Sequence, residues 1–458
     1  MNEKREVAEE TADSMSALDH LFKTGFMVSL CFLCVVCGLL LAVVKSPPYH
    51  WVDNAFQAFK AVCVQQEMFS EEYPSPLWQG VRQAKFDVTA DSSAGSASGY
   101  TLYTSGAGSQ VTLLDEAGQP AHQWHAPFSE VWPNAALMKS VIPDQRTFVR
   151  RAHVLRNGDL LALYETPLNT PNGMGFARLD RDSNVVWSYE GNCHHDFATD
   201  EAGKVYVLTH ELKASCHPKS VLGTETNIED FLTILGSDGK LIKQVSLLDL
   251  FFDSPFYRHN ILVREHTGDL LHANTVNLVT SEFAQHHADV SAGDLMVCLR
   301  NLNMVVIVNP DSEKIVWGAS GPWHFPHDPD PLENGNLLIF DNCVGTGLQA
   351  FSRVIEFDPR QQKIVWSFSG TENTKLRSDI RSTQQTLDEG NALICESDGG
   401  RMVEVNRAGE VVWQFENHQR GGAENQYIPI MAGVRRYSKE QLPFLAESKL
   451  VGNTRTGN

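Results

Sequence analysis

Two histidines in this chain stand at the same distance from a turn. His327, in PHDPDPLENGNLLIFDN, lies eight residues before Gly335, and His195, in CHHDF, lies eight before Gly203. Each is followed by an aspartate. The same offset finds Arg150 before Gly158 and Ser382 before Gly390. If those glycines mark equivalent turns of a repeated unit, four polar side chains far apart in sequence converge on one place. A lone histidine is most often a satisfied structural residue; two at one repeat offset point to a site. Between them, DLLHANTV offers His272 and Asn274, two apart on a strand and therefore on one face. VCLRNLN sets Arg300 in an apolar strand, where a guanidinium calls for an anionic partner, either an acid of a neighbouring strand or a ligand. Three histidines, an amide and a guanidinium make a cationic, hydrogen-bonding cup for a tetrahedral or planar anion. A neutral imidazole is nucleophilic near pH 7 without a metal, and a protonated one can donate to a departing oxygen. Asp328 either orients an imidazole or braces the turn. His194, His286 and His287 show no recognised metal-ligand spacing.

The elements that must position these residues recur. One half of the unit is strand, polar turn, strand, often ending in Trp: LLDEAGQPAHQW, RLDRDSNVVWSY, ILGSDGKLIKQV, IVNPDSEKIVWGA, EFDPRQQKIVWSF and EVNRAGEVVWQF. The other half is a Gly turn and an apolar strand, as in LRNGDLLALYE, LENGNLLIFDN and LDEGNALICES. Asn-Gly and Asp-Gly accept the positive φ of tight hairpins. Repeated hairpins that cannot bury both faces alone predict an all-β, six-bladed β-propeller, with insertions across 216–293. A two-sheet sandwich leaves the repeat without a reason. In a propeller the innermost strands line a central channel, so the segments entering them meet at one mouth.

The ordered series CHHDF, LHANTV with CLRNLN, PHDPDPLENGNLLIFDN with FSRVIEFDP, and QQTLDEGNALICESDGGRMVEVNRAGEVVWQF resembles the arylsulfotransferases, bacterial enzymes that work without phosphoadenosine phosphosulfate. The resemblance runs over roughly 150–437. It implies a six-bladed propeller outside the cytoplasm that passes a sulfuryl group between phenols through a histidine. It makes His327 the sulfated nucleophile, with His195, His272 and Arg300 as catalytic companions and Asn274 and Arg353 as substrate-binding residues. The implied partners are a small aryl sulfate donor and a phenolic acceptor, with no cofactor and no metal. A Pro before His327 and the insertion EFAQHHADVSAG between Asn274 and Arg300 depart from the pattern and bear on substrate range more than on fold. The other reading is a non-catalytic envelope propeller acting as a binding or scaffold module, which the retained His/His/Arg/His set speaks against. A quinone-dependent dehydrogenase would need Trp-docking repeats and a carboxylate-rich calcium site, and neither is found.

A net charge of −19 repels phosphate backbones and argues against nucleic acid. Residues 25–44, GFMVSLCFLCVVCGLLLAVV, form an uncharged apolar run that predicts a single transmembrane helix preceding the propeller. A cleaved signal peptide would be shorter and end in small residues. The expected organisation is a cytoplasmic tail at 1–24, the span at 25–44, a membrane-proximal segment and linker at 45–98, the propeller at 99–437 and a tail at 438–458. Lys4, Arg5 and Lys23 against Lys45 and Lys60 barely bias the orientation; the resemblance places the catalytic domain in the periplasm or another extracytoplasmic space. In such a compartment Cys193–Cys216 is the first disulfide to test.

Overall fold

The computed structural model describes residues 22–38, 40, 76–82, 89–90, 98–134, 142–167, 173–213, 227–259, 268–345, 350–371, 374–388 and 390–446. The chain divides into two units, 1–71 and 72–458. In the first, residues 22–38 are helical. Among the described residues no helix is long and apolar enough to cross a membrane. Residues 39 and 41–44 of the expected span, the segment 45–67 and Cys216 lie outside the described residues.

In the second unit the glycine turns behave as equivalents. Gly158, Gly203, Gly335 and Gly390 all have positive φ, between 78° and 90°. Each donates its N–H to the carbonyl three residues back: Leu155, Asp200, Leu332 and Leu387, at 2.7–3.0 Å. These hairpins join the first and second strands of four of the antiparallel sheets. Blade 1 is Phe148–Val154, Leu160–Glu165, Gly173–Leu179 and Val185–Glu190. Blade 2 is Cys193–Thr199, Val205–Lys213, Asn227–Leu235 and Leu241–Ser246. Blade 3 is Ala273–Leu278, Leu295–Leu299, Met304–Asn309 and Lys314–Ser320; blade 4 is His327–Pro331, Leu337–Val344, Phe351–Asp358 and Lys363–Phe368. Blade 5 is Thr383–Thr386, Ala392–Glu396, Arg401–Val405 and Val411–Glu416. Blade 6 closes the ring: its innermost strand, Met431–Tyr437, pairs with Tyr100–Ser105, followed outward by Gln110–Leu114 and Pro120–His125. The six-bladed all-β propeller expected from the repeats is the observed architecture.

The core lies between blades. Leu161, Leu163 and Phe176 of blade 1 pack on Val205, Val207 and Leu235 of blade 2, and Leu338, Phe340 and Val354 of blade 4 on Ile394, Val403 and Val405 of blade 5. Each blade thus needs two neighbours to bury both faces. The ring also extends beyond 99–437. Trp78–Gly80 pairs with Tyr427–Pro429, and Thr89–Ala90 adds a fifth strand to blade 5. Leu77 is buried against Phe148, Ile430 and Ala432, while Leu442, Phe444 and Leu445 join the core of blades 6 and 1. Strands of two or three residues carry no periodicity, so the sequence pattern does not reveal them.

Candidate active site

The entries to the innermost strands of blades 2, 3 and 4 are bulged. Register shifts fall between Cys193 and Phe197, Ala273 and Thr275, and His327 and Asp330. His195, His272, Asp328 and Ser382 take positive φ of 60°, 48°, 53° and 76°. Left-handed non-glycine residues cost roughly 1–2 kcal/mol each, and such strain gathers at functional sites, where it re-aims side chains.

His327 begins the innermost strand of blade 4 and is buried. Its Nδ1 lies 2.7 Å from Asn342 Oδ1 and 3.0 Å from the Phe325 carbonyl. Asn342 donates its amide hydrogens to the carbonyls of Ser378 and Arg381, at 2.8 and 2.9 Å. The atom it turns to His327 is therefore its acceptor oxygen, so Nδ1 must carry the hydrogen and Nε2 the lone pair. The Arg381 backbone N–H approaches that lone pair at 3.3 Å. Burial, with the nearby guanidinium groups of Arg300 and Arg150, holds the imidazole well below its ordinary pKa and keeps it neutral.

His195 and His272 stand together, ring centres 5.1 Å apart. The His195 backbone N–H donates to Glu165 at 2.6 Å, and Glu165 lies 3.8 Å from the buried Arg150 guanidinium. His272 Nδ1 is 2.5 Å from Asp269. Burial and the surrounding His194, His272, Arg150 and His327 push His195 well below its ordinary pKa. Arg300 stacks 4.5 Å over the Phe325 ring and donates to Asn301 at 2.8 Å. Among the described residues no carboxylate lies within ion-pair distance of it; Asp269, whose charge reaches it, is paired with His272.

The other two expected residues face protein. Asn274 donates to the Pro326 carbonyl at 2.9 Å and so braces the segment entering His327. Arg353 pairs with Asp341 at 2.9 Å and donates to the Pro322 carbonyl at 2.7 Å. Asp341 in turn accepts the His324 N–H at 2.9 Å, so Arg353 steadies the same loop. The aspartates after the site histidines are latches between blades. Asp196 accepts from Val276 N at 3.1 Å and Asp328 from Gln384 N at 2.9 Å, and Arg151 bridges both carboxylates. Of the alternatives for Asp328, bracing is what is observed. Past this bridge lies a cavity of about 360 Å³ lined by Arg151, His153, Asp196, Asp328, Asp330 and Arg435, with none of His195, His272, His327 or Arg300 in its wall. The inserted His286 and His287 cap the blade 4 turn, facing the carbonyls of Glu333 and Gly335 at 3.1 and 2.9 Å.

Sequence reasoning passed over Asn342, although it closes the stretch NLLIFDN, and left His194 unassigned. Nothing in the spacing marks Asp269, Asp230 or Arg381 as neighbours of the histidines. The assembled group offers a neutral nucleophile with a defined lone pair, a guanidinium and two further imidazoles. That set can displace a leaving oxygen from a tetrahedral, anionic centre.

A family model described as Arylsulfotransferase (ASST) matches residues 151–418. No curated relative matches the chain. Among solved structures, a protein of unknown function from Bacteroides caccae is 11% identical, with 74% of this chain and 98% of that one covered and a TM-score of 0.46. The Cps50 (Swd1) β-propeller domain of Myceliophteria thermophila is 11% identical over 77% of this chain and 98% of its own, TM-score 0.42. A streptogramin B lyase is 10% identical over 76% and 89%, TM-score 0.40. Likeness at this level speaks to neither substrate nor reaction.

Proposed function

The chain belongs to the arylsulfotransferase (ASST) family, and we propose that it transfers a sulfuryl group from an aryl sulfate ester to a phenolic acceptor in two steps through His327. The observation that carries this reading is the tautomer imposed on His327 by Asn342, which leaves Nε2 with its lone pair and burial that keeps it neutral. In the first step Nε2 attacks sulfur, an N–S bond forms, and the S–O bond to the aryl group breaks with its electron pair on the phenolate. In the second step the acceptor phenol attacks the same sulfur, releases its proton, and restores Nε2. Sulfuryl transfer resembles phosphoryl transfer in placing charge on peripheral oxygens, so most of the catalysis is positioning and cationic stabilisation. The planar guanidinium of Arg300 suits two of those oxygens. In this reading His195 and His272 hand a proton to the departing phenolate and recover it from the acceptor. Asn274 and Arg353 position the loop that carries His327.

We also propose that 25–44 anchors the protein as a single-pass membrane protein, N-terminus cytoplasmic and propeller outside. The uncharged run and its helix at 22–38 support this. Reporter fusions after residue 70 decide it, and activity of a strictly cytoplasmic reporter there overturns it.

The test of activity is incubation of the purified protein with a chromogenic aryl sulfate and a phenol, without nucleotide. Phenol-dependent release is expected, and donor alone should leave an acid-labile adduct of about 80 Da on the peptide containing His327. His327→Ala should lose both cleavage and transfer. Absence of turnover across a panel of acceptors, with no adduct, favours a binding propeller instead. An adduct on another residue, or full activity in His327→Ala, removes His327 as nucleophile.

A further inference from the structure

His194, the residue before His195, points away from the channel into blade 2 and is buried. Its Nδ1 lies 2.7 Å from His195 Nδ1, a distance that requires one hydrogen between the two nitrogens. Its other nitrogen, Nε2, lies 3.4 Å from Asp230 Oδ1, on the third strand of the same blade. Asp230 is itself fixed, because its Oδ2 accepts the Ala273 N–H of blade 3 at 2.7 Å. Asp230, His194 and His195 thus form one line running from a buried carboxylate to the site, and Asp230 and His194 have no part in the transfer described above.

We infer that this line is a proton relay, in which His195 changes tautomer during sulfuryl transfer while His194 holds the positive charge. The inference rests on the proposed transfer. In the resting protein His194 carries hydrogens on both nitrogens; its Nδ1–H donates to His195 Nδ1, so the single hydrogen of His195 sits on Nε2, toward the substrate. When the S–O bond breaks, His195 gives its Nε2 hydrogen to the phenolate oxygen and receives the Nδ1 hydrogen of His194. His195 stays neutral throughout, and His194 becomes neutral with its remaining hydrogen facing Asp230. When the acceptor phenol attacks, its proton enters at His195 Nε2, the Nδ1 hydrogen returns to His194, and the starting state is restored. Protons and charge balance over the two steps.

The surroundings explain why a relay is needed. His195 faces Arg150 and Glu165 of blade 1, His272 of blade 3 and His327 of blade 4, and burial with this company disfavours its imidazolium form. Alone, it could donate only by becoming an imidazolate. His194 faces Asp230, the Glu165 carboxylate and, 5.2 Å away, the His210 ring. Burial pulls its pKa down, but the contact with Asp230 and the neighbouring negative charge outweigh that and raise it. A proton is therefore stored one residue away from where it is used.

His194→Gln and Asp230→Asn in the full chain, assayed with a series of aryl sulfates of graded phenol acidity, test this. Donors whose phenol leaves well should lose less than about tenfold, and poor leaving groups about 10²- to 10⁴-fold. The wild-type rate on poor leaving groups should fall as pH rises through the raised His194 pKa; His194→Gln should lack that limb, and Asp230→Asn should move it to lower pH. A uniform loss across the series, as structural damage alone would produce, overturns the relay. An 80 Da adduct on His327 that persists in His194→Gln with the best donor keeps the nucleophile assignment separate from the relay; its absence from wild type removes both. Nitrogen-15 spectra of the wild-type histidines give an answer independent of any variant: His195 protonated at Nε2 is expected, and protonation at Nδ1 in the resting protein refutes the mechanism.

Discussion

Asn342 decides which nitrogen of His327 holds a hydrogen because its own amide hydrogens are engaged by two carbonyls. Asn342→Asp reverses the electrostatics at that atom. A carboxylate beside Nδ1 favours the imidazolium and raises a pKa that burial and two guanidinium groups hold down. Below the raised value Nε2 is protonated and cannot attack. Wild-type transfer with a good donor should stay level toward acid, whereas the variant should lose about tenfold per pH unit once below its new pKa and recover at high pH. A loss that does not recover as pH rises would mean damage to the loop rather than a change of protonation.

At the scale of elements, the innermost strands are tied by charge as well as by packing. Asp196 and Asp328 each accept a backbone N–H from the next blade, and Arg151 lies between them. Two carboxylates and one guanidinium leave one negative charge in excess, and burial together with Asp328 pushes the Asp196 carboxyl above its usual range despite Arg151. Arg151→Met should cost about 3–5 kcal/mol near pH 8, read by urea unfolding, because it strands both acids. The folded Asp196 pKa then rises further above its unfolded value, so the folded state binds more protons and stability falls as pH rises. The deficit should shrink toward pH 5, and Asp196→Asn combined with Asp328→Asn should recover part of it. An equal deficit at both pH values would show that the loss is one of packing.

Over the whole molecule, closure depends on segments from both ends of the chain. A protein beginning at residue 72 retains Leu77 and the pairing of Trp78–Gly80, while one beginning at residue 99 loses both. The shorter chain should be less stable by about 2 kcal/mol from Leu77 alone and melt lower, with the same β-sheet signal; equal melting points would show that these contacts contribute nothing. That difference also marks what each level of description determined. The repeats and their glycine turns are local, since a turn needs only its own residues to accept positive φ, and from them the sequence by itself determined six blades. Because repeated units place equivalent positions equivalently, it also set His195 and His327 at the same offset from their turns. Only the tertiary structure decided how these side chains are used. A bulge sets His195 in a left-handed conformation while His194, one residue earlier, lies beside Asp230 in another strand. Asn274 and Arg353, which the resemblance marked as substrate-binding, hold the carbonyls of Pro326 and Pro322. Partners such as Asn342 and His327, fifteen residues apart, or Arg151 and Asp328, 177 apart, meet only once strands pair and blades close. No local pattern encodes such a meeting, because it depends on where other parts of the ring come to rest.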